Sequence, residues 1–195
     1  MRLSSLGLLC TIAASFGLAQ TDKPSFDCAK VTNSVEKLVC GDKELSGLDR
    51  KLAALYQEAV RNPATSGKEK KAQSEWLKTR NDCAKAKTAT RDCLVASYQR
   101  RIAEIQIFSG ALEVPKPVSF DCPGLSKDTP LTIAYYNRTD PPSGVFTYDR
   151  DQVVAIVQPS GSGAKYNAPN FEFWEHQGEA LLTRKSKSYV CKPVK

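Results

Sequence analysis

The apolar residues of this chain change period once, and that change divides what it can fold into. Before about residue 110 they recur every three to four positions, the spacing of an amphipathic helix. In "LDRKLAALYQEAVRN", Leu48, Leu52, Leu55, Tyr56 and Ala59 share one face, and Asn62-Pro63 reads as the stop. "SGKE" at Ser66 to Glu69 fits a capping box that opens a helix through Trp76, Leu77 and Arg80. A last stripe joins Leu94, Tyr98, Ile102 and Ile105, with Gly110 ending it, and a shorter helix is expected from about Ala29 to Val39. Beyond the change, "LTIAYYN", "GVFTYD", "VVAIVQ", "FEFWEH" and "EALLTRK" are short β-branched and aromatic runs punctuated by Pro, Gly, Asp and Asn. That is the pattern of a small antiparallel barrel or sandwich. The expected fold is a small disulfide-linked helical bundle over residues 20–110, a stiff linker over 111–118 carrying Pro115 and Pro117, and a β module over 119–195.

The first 19 residues hold one charge at Arg2, an apolar stretch from Leu6 to Leu18, and small residues at Gly17 and Ala19. They read as a signal peptide cleaved after Ala19, and the apolar stretch is short for a membrane span. Cys10 invites a lipoprotein reading, but Leu8 and Leu9 stand where a lipobox wants a small residue next to the cysteine. The mature chain is therefore expected to be exported, periplasmic or secreted, and unanchored. Of seven cysteines, Cys28, Cys40, Cys83, Cys93, Cys122 and Cys191 then remain, an even number in an exported chain. Cys122 and Cys191, first and last in the β module, are expected to pair. A continuous helix from Cys28 to Cys40 would set its ends about 18 Å apart, too far for a bridge. Each would then pair with Cys83 or Cys93, although a bend near Cys40 reopens the local option. With one histidine and no Cys-x-x-Cys pair, neither a metal nor another cofactor is expected.

The chain is basic, with a formal charge of +7. Residues 20–118 hold 18 Lys and Arg against 13 Asp and Glu, and residues 119–195 hold 9 against 8. The basic residues are scattered among acids, which argues against a nucleic-acid surface.

The densest grouping of unusual residues lies between Ser160 and Ala180, "SGSGAKYNAPNFEFWEHQGEA". A slim Gly-Ser loop precedes a cation, a tyrosine and an aromatic strand that carries the lone histidine. Gly161 and Gly163 flank Ser162 without side-chain bulk, and Lys165 and His176 are candidate cations. Trp174 is read as barrel core, and Tyr166 either as core or as a ring whose hydroxyl reaches the rim.

"SGSGAKY" followed by "FEFWEHQGEA", with Cys122 and Cys191 flanking, resembles the MliC/PliC family of C-type lysozyme inhibitors. The helical half resembles LprI-like proteins through "SFDCAK", "VEKLVC", "LDRKLAALY" and "SEWLKTRNDC". The first resemblance implies an eight-stranded antiparallel barrel and a plug, in which the loop of Ser160, Gly161, Ser162, Gly163, Lys165 and Tyr166 enters the lysozyme cleft. There the Ser162 hydroxyl would meet a catalytic carboxylate. The family's second contact, a lysine fourteen residues after that serine, is His176 here, and a histidine is not permanently charged as lysine is.

A C-type lysozyme is thus the expected partner. Because such lysozymes are usually basic, affinity should come from local fit rather than electrostatic steering. The alternative is a cell-envelope binding or assembly module without inhibitory activity. A hydrolase is the other class weighed: a lone histidine stands near serines, but there is no Gly-x-Ser-x-Gly elbow, and Asp149 or Asp151 would orient a triad only by accident of folding.

Overall fold

A computed structural model describes residues 23–86, 89–126 and 129–194; the signal-peptide reading and Cys10 lie outside them. Helices α1 (Ser34–Gly41), α2 (Lys43–Ala59), α3 (Pro63–Asn81) and α4 (Thr90–Phe108) precede eight strands. The strands are β1 (Val118–Asp121), β2 (Leu131–Tyr136), β3 (Ser143–Tyr148), β4 (Asp151–Gln158), β5 (Ala164–Ala168), β6 (Phe171–His176), β7 (Glu179–Arg184) and β8 (Lys187–Pro193). Each strand pairs antiparallel with its neighbour in sequence, and β1 also pairs with β8, so the sheet closes into a barrel.

Two expectations in the bundle need correction. The capping box at Ser66 does not form. Helix α3 starts earlier, with Asn62 as N-cap accepting from the Ala64 amide and Pro63 in the first turn, where its missing N–H costs nothing. Asn62-Pro63 is thus the start of α3 as much as the end of α2, and Glu69 is free to turn inward. Its carboxylate meets Arg101 of α4 at 2.8 Å, both side chains almost fully buried.

The disulfide pairing is local. Cys28 joins Cys40 with Cα atoms 5.9 Å apart, and Cys83 joins Cys93 at 5.6 Å. The continuous helix assumed between Cys28 and Cys40 is absent. A 3₁₀ turn (Cys28–Lys30) is followed by extended backbone at Val31 and at Asn33, the N-cap of α1, so the chain doubles back before the helix begins. Cys122 pairs with Cys191, as expected.

The barrel interior is filled by alternate residues of every strand, among them Phe120, Ile133, Phe146, Ala155, Tyr166, Phe173 and Leu182. Strand β4 departs from alternation because both its faces are covered. Ala155 points into the barrel, while Val154 and Ile156 pack outward with Val145 and Tyr136 against Ala103 and Ile107 of α4. Leu112, in the expected linker, is packed into this same cluster, so the connection is anchored rather than a free spacer. A second tie lies at one rim: Lys51 of α2 bonds the Asp140 carbonyl and carboxylate, and Gln106 of α4 accepts from the Asp140 amide.

Candidate functional site

The connection between β4 and β5, residues 159–163, is exposed along its length at the barrel rim held by Asp140. The Val157 amide donates to the Pro142 carbonyl, joining the base of this loop to the β2–β3 connection.

Three successive residues of β6 meet the loop. The Trp174 indole N–H donates to the Ser162 carbonyl at 3.0 Å. The Glu175 carbonyl lies so close to Gly163 that a Cβ there would sit 1.9 Å from it, and Gly163 has a φ of +70°. The Ser162 hydroxyl and His176 Nδ1 are 3.1 Å apart, a hydrogen bond whose direction follows the imidazole tautomer. Ser160 closes the loop on itself, its hydroxyl donating to the carbonyls of Ser162 and Gly163 at 3.1 and 2.8 Å.

The two glycines therefore have different roles. Gly163 permits the close backbone approach, whereas nothing lies within 4 Å of a Cβ at Gly161. The hairpin after His176 turns on Gln177 and Gly178, both at positive φ, the geometry of a tight two-residue turn.

The candidate residues separate by strand parity. Lys165 and Trp174 are cross-strand partners on the outer face, and the Lys165 ammonium pairs with Glu172 at 2.9 Å. Tyr166 points inward as part of the core, 6% exposed and packed on Phe146 and Tyr135. Trp174, expected in the core, is instead half-buried on the outside, its ring stacked on His176 at 5.2 Å between centroids. Period-two alternation in "FEFWEH" is the signal that finds it: Phe171 and Phe173 fill the barrel, so Glu172, Trp174 and His176 share the outer face. Glu175 turns toward the interior below the loop and accepts from the Tyr135 hydroxyl at 3.2 Å. Burial, reinforced by Glu175, holds that phenol well above its ordinary range.

Chemically, the rim presents a hydroxyl and an imidazole on a narrow, internally bonded tip. It lacks the third member of a hydrolytic triad. Asp149 bonds Ser126 and Asp151 pairs with Arg184 on the connections at the other end of the barrel, and among the described residues no carboxylate bonds His176. Among the same residues no cluster of His, Cys, Asp and Glu is arranged to hold a metal, and no helix is long and apolar enough to cross a membrane.

Comparison with known proteins matches both halves. A family model described as membrane-bound lysozyme-inhibitor of c-type lysozyme covers residues 121–190, and one described as lysozyme inhibitor LprI covers residues 28–105. No solved structure gives a significant match. Relatives named Lipoprotein LprI, from Mycobacterium bovis and Mycobacterium tuberculosis, are 36% identical over 189 residues, covering 95% of this chain and 94% of theirs. With that identity over nearly its whole length, the chain belongs to the LprI family.

Proposed function

We propose that this protein is an exported inhibitor of C-type lysozymes whose exposed loop around Ser162, residues 159–163, enters the active-site cleft as a plug, with Tyr166 holding its base from the barrel core. The observation that carries this reading is the exposed Ser162–His176 pair at the tip of a slim loop, within the stretch similar to the MliC family. A glycosidase cleft of this kind holds two carboxylates, one ionised and one kept protonated by an apolar pocket. A hydroxyl can donate to the first or accept from the second, and an imidazole beside it adds a donor when protonated. Gly161, with open space around it, lets the tip pass between cleft walls.

In this reading residues 119–195 are the inhibitory unit, residues 20–110 the helical unit that flanks it, residues 111–118 the join, and residues 1–19 the export signal. Three disulfides fit an oxidising compartment outside the cytoplasm, and the relatives named lipoproteins are in keeping with export. The protein acts by binding rather than by catalysis.

The test is titration of the full chain into a fixed amount of C-type lysozyme while cell-wall lysis is followed. Inhibition that saturates near one inhibitor per enzyme supports the plug. Lysis untouched at a large excess of the chain overturns it and leaves the cell-envelope reading in its place.

A further inference from the structure

We propose that Trp174 is the positioning residue of this loop, setting the direction of the Ser162 hydroxyl and the plane of the His176 ring before any partner arrives. Trp174 belongs to none of the clusters that form the buried cores. A large aromatic outside the core, with its one polar atom satisfied by a single loop carbonyl, needs another explanation.

The geometry supplies it. The Ser162 carbonyl accepts from the Trp174 indole at 3.0 Å and, at 3.1 Å, from the Ser160 hydroxyl, whose one proton is shared with the Gly163 carbonyl at 2.8 Å. Together these bonds fix the peptide plane between Ser162 and Gly163. That plane sets the direction in which the Ser162 side chain leaves the backbone. The same indole lies nearly parallel to the imidazole of His176, at 18° between planes, so it fixes the plane of the ring that faces the Ser162 hydroxyl. One side chain thus holds both members of the pair. A loop held this way loses little freedom when it enters a cleft, and such preorganisation strengthens binding without adding a contact.

The effect on inhibition rests on the plug reading, but the effect on the free protein does not, and the test separates them. The variants are Trp174→Phe, which keeps a ring over His176 and removes the N–H, then Ser162→Ala, and the two combined. Backbone order parameters of the free chain are measured by NMR, with melting temperature as a control for the barrel. Inhibition of a C-type lysozyme is measured beside them.

In Trp174→Phe, order parameters at Gly161 to Gly163 should fall from about 0.85 toward 0.6 while β2 to β4 stay rigid and the melting temperature holds. Inhibition should weaken roughly two- to tenfold, mainly through faster dissociation. That cost should shrink in the Ser162→Ala background, because Trp174 acts through the hydroxyl that is already gone. Unchanged loop order in Trp174→Phe overturns the proposal, and so does a cost that adds in full to that of Ser162→Ala, which would make Trp174 a direct contact. If Ser162→Ala inhibits as well as the wild type while Trp174→Phe loosens the loop, the positioning role stands and the plug reading falls.

Discussion

The Ser162 hydroxyl lies 3.1 Å from Nδ1 of His176, across the gap between a loop tip and the end of the neighbouring hairpin. If this pair meets a catalytic carboxylate, Ser162→Ala removes a hydrogen bond to a charged group. Such bonds contribute about 1.5–3 kcal/mol, so the inhibition constant should rise roughly ten- to a hundredfold. His176→Ala should also weaken inhibition, and His176→Lys should stay within a few-fold of the wild type. Inhibition constants at fixed ionic strength decide it, and a Ser162→Ala protein that inhibits undiminished removes the hydroxyl from the interface.

The two glycines of the loop should respond differently to alanine. Gly163→Ala forces a Cβ onto the Glu175 carbonyl at a φ of +70°, so the loop must move off β6 or the strand must yield. A loss of about 1–3 kcal/mol is expected from strain of this kind. Gly161→Ala meets only open space and should unfold at the wild-type denaturant concentration. Equal midpoints for the two variants would show that the close approach is not retained in solution.

Glu69 and Arg101 form a buried ion pair between α3 and α4, and Arg101 also bonds Gln73 and pairs with Glu104 at 3.4 Å. Glu69→Ala leaves the buried guanidinium with Gln73 and the longer Glu104 contact, so the loss should fall at or below the low end of the range for a broken buried pair, about 3 kcal/mol. Glu69→Leu combined with Arg101→Met removes both charges and should recover much of that loss. Urea unfolding of the variants measures it, and a double variant as unstable as the single one contradicts the account.

Asp42 caps α2 by accepting from the Leu45 amide at 3.0 Å and pairs with Arg91 at 2.7 Å. The amide first, then the Arg91 guanidinium, hold its carboxyl below the ordinary value of 3.8. A depressed carboxyl stabilises the fold above that value, and the contribution is lost as pH falls through the folded-state pKa. Asp42→Asn keeps a capping oxygen but does not titrate. The stability advantage of the wild type over Asp42→Asn should therefore be constant from pH 7 to about 5 and shrink below about pH 4. Denaturant midpoints across that range test it, and an advantage unchanged at pH 2.5 assigns the depression to another group.

Periodicity located α2, α4 and the five most apolar strands because each carries a full stripe for its core. Strands β1, β5 and β8 escaped it. "VSFD", "AKYNA" and "KSYVCKP" are short, with polar or weakly apolar residues between their inward side chains, so their membership depends on pairing with neighbours. The Cys28–Cys40 bridge was obscured by assuming helix where Val31 and Asn33 are extended. The packing of α4 on the barrel had a signal in the unbroken "VVAIV" of β4, since a strand apolar on both parities has something on each side. At the site, Ser162 and His176 were legible as a pair through family spacing. The close approach of Gly163 to Glu175 was not, because it depends on how near the β4–β5 loop passes to the backbone of β6.

Helix α4 has one side in each core: Ile102 and Ile105 face the other helices, and Ala103 and Ile107 face the barrel. Heating or denaturant should thus encounter one cooperative unit rather than two, because fraying of this helix uncovers the flank of β3 and β4 as it dissolves the bundle. A gene fragment that encodes only the barrel would be born with Tyr136, Val145, Val154 and Ile156 facing water. Such a fragment would trade solubility for smallness, self-associating through the very flank that the whole chain keeps dry.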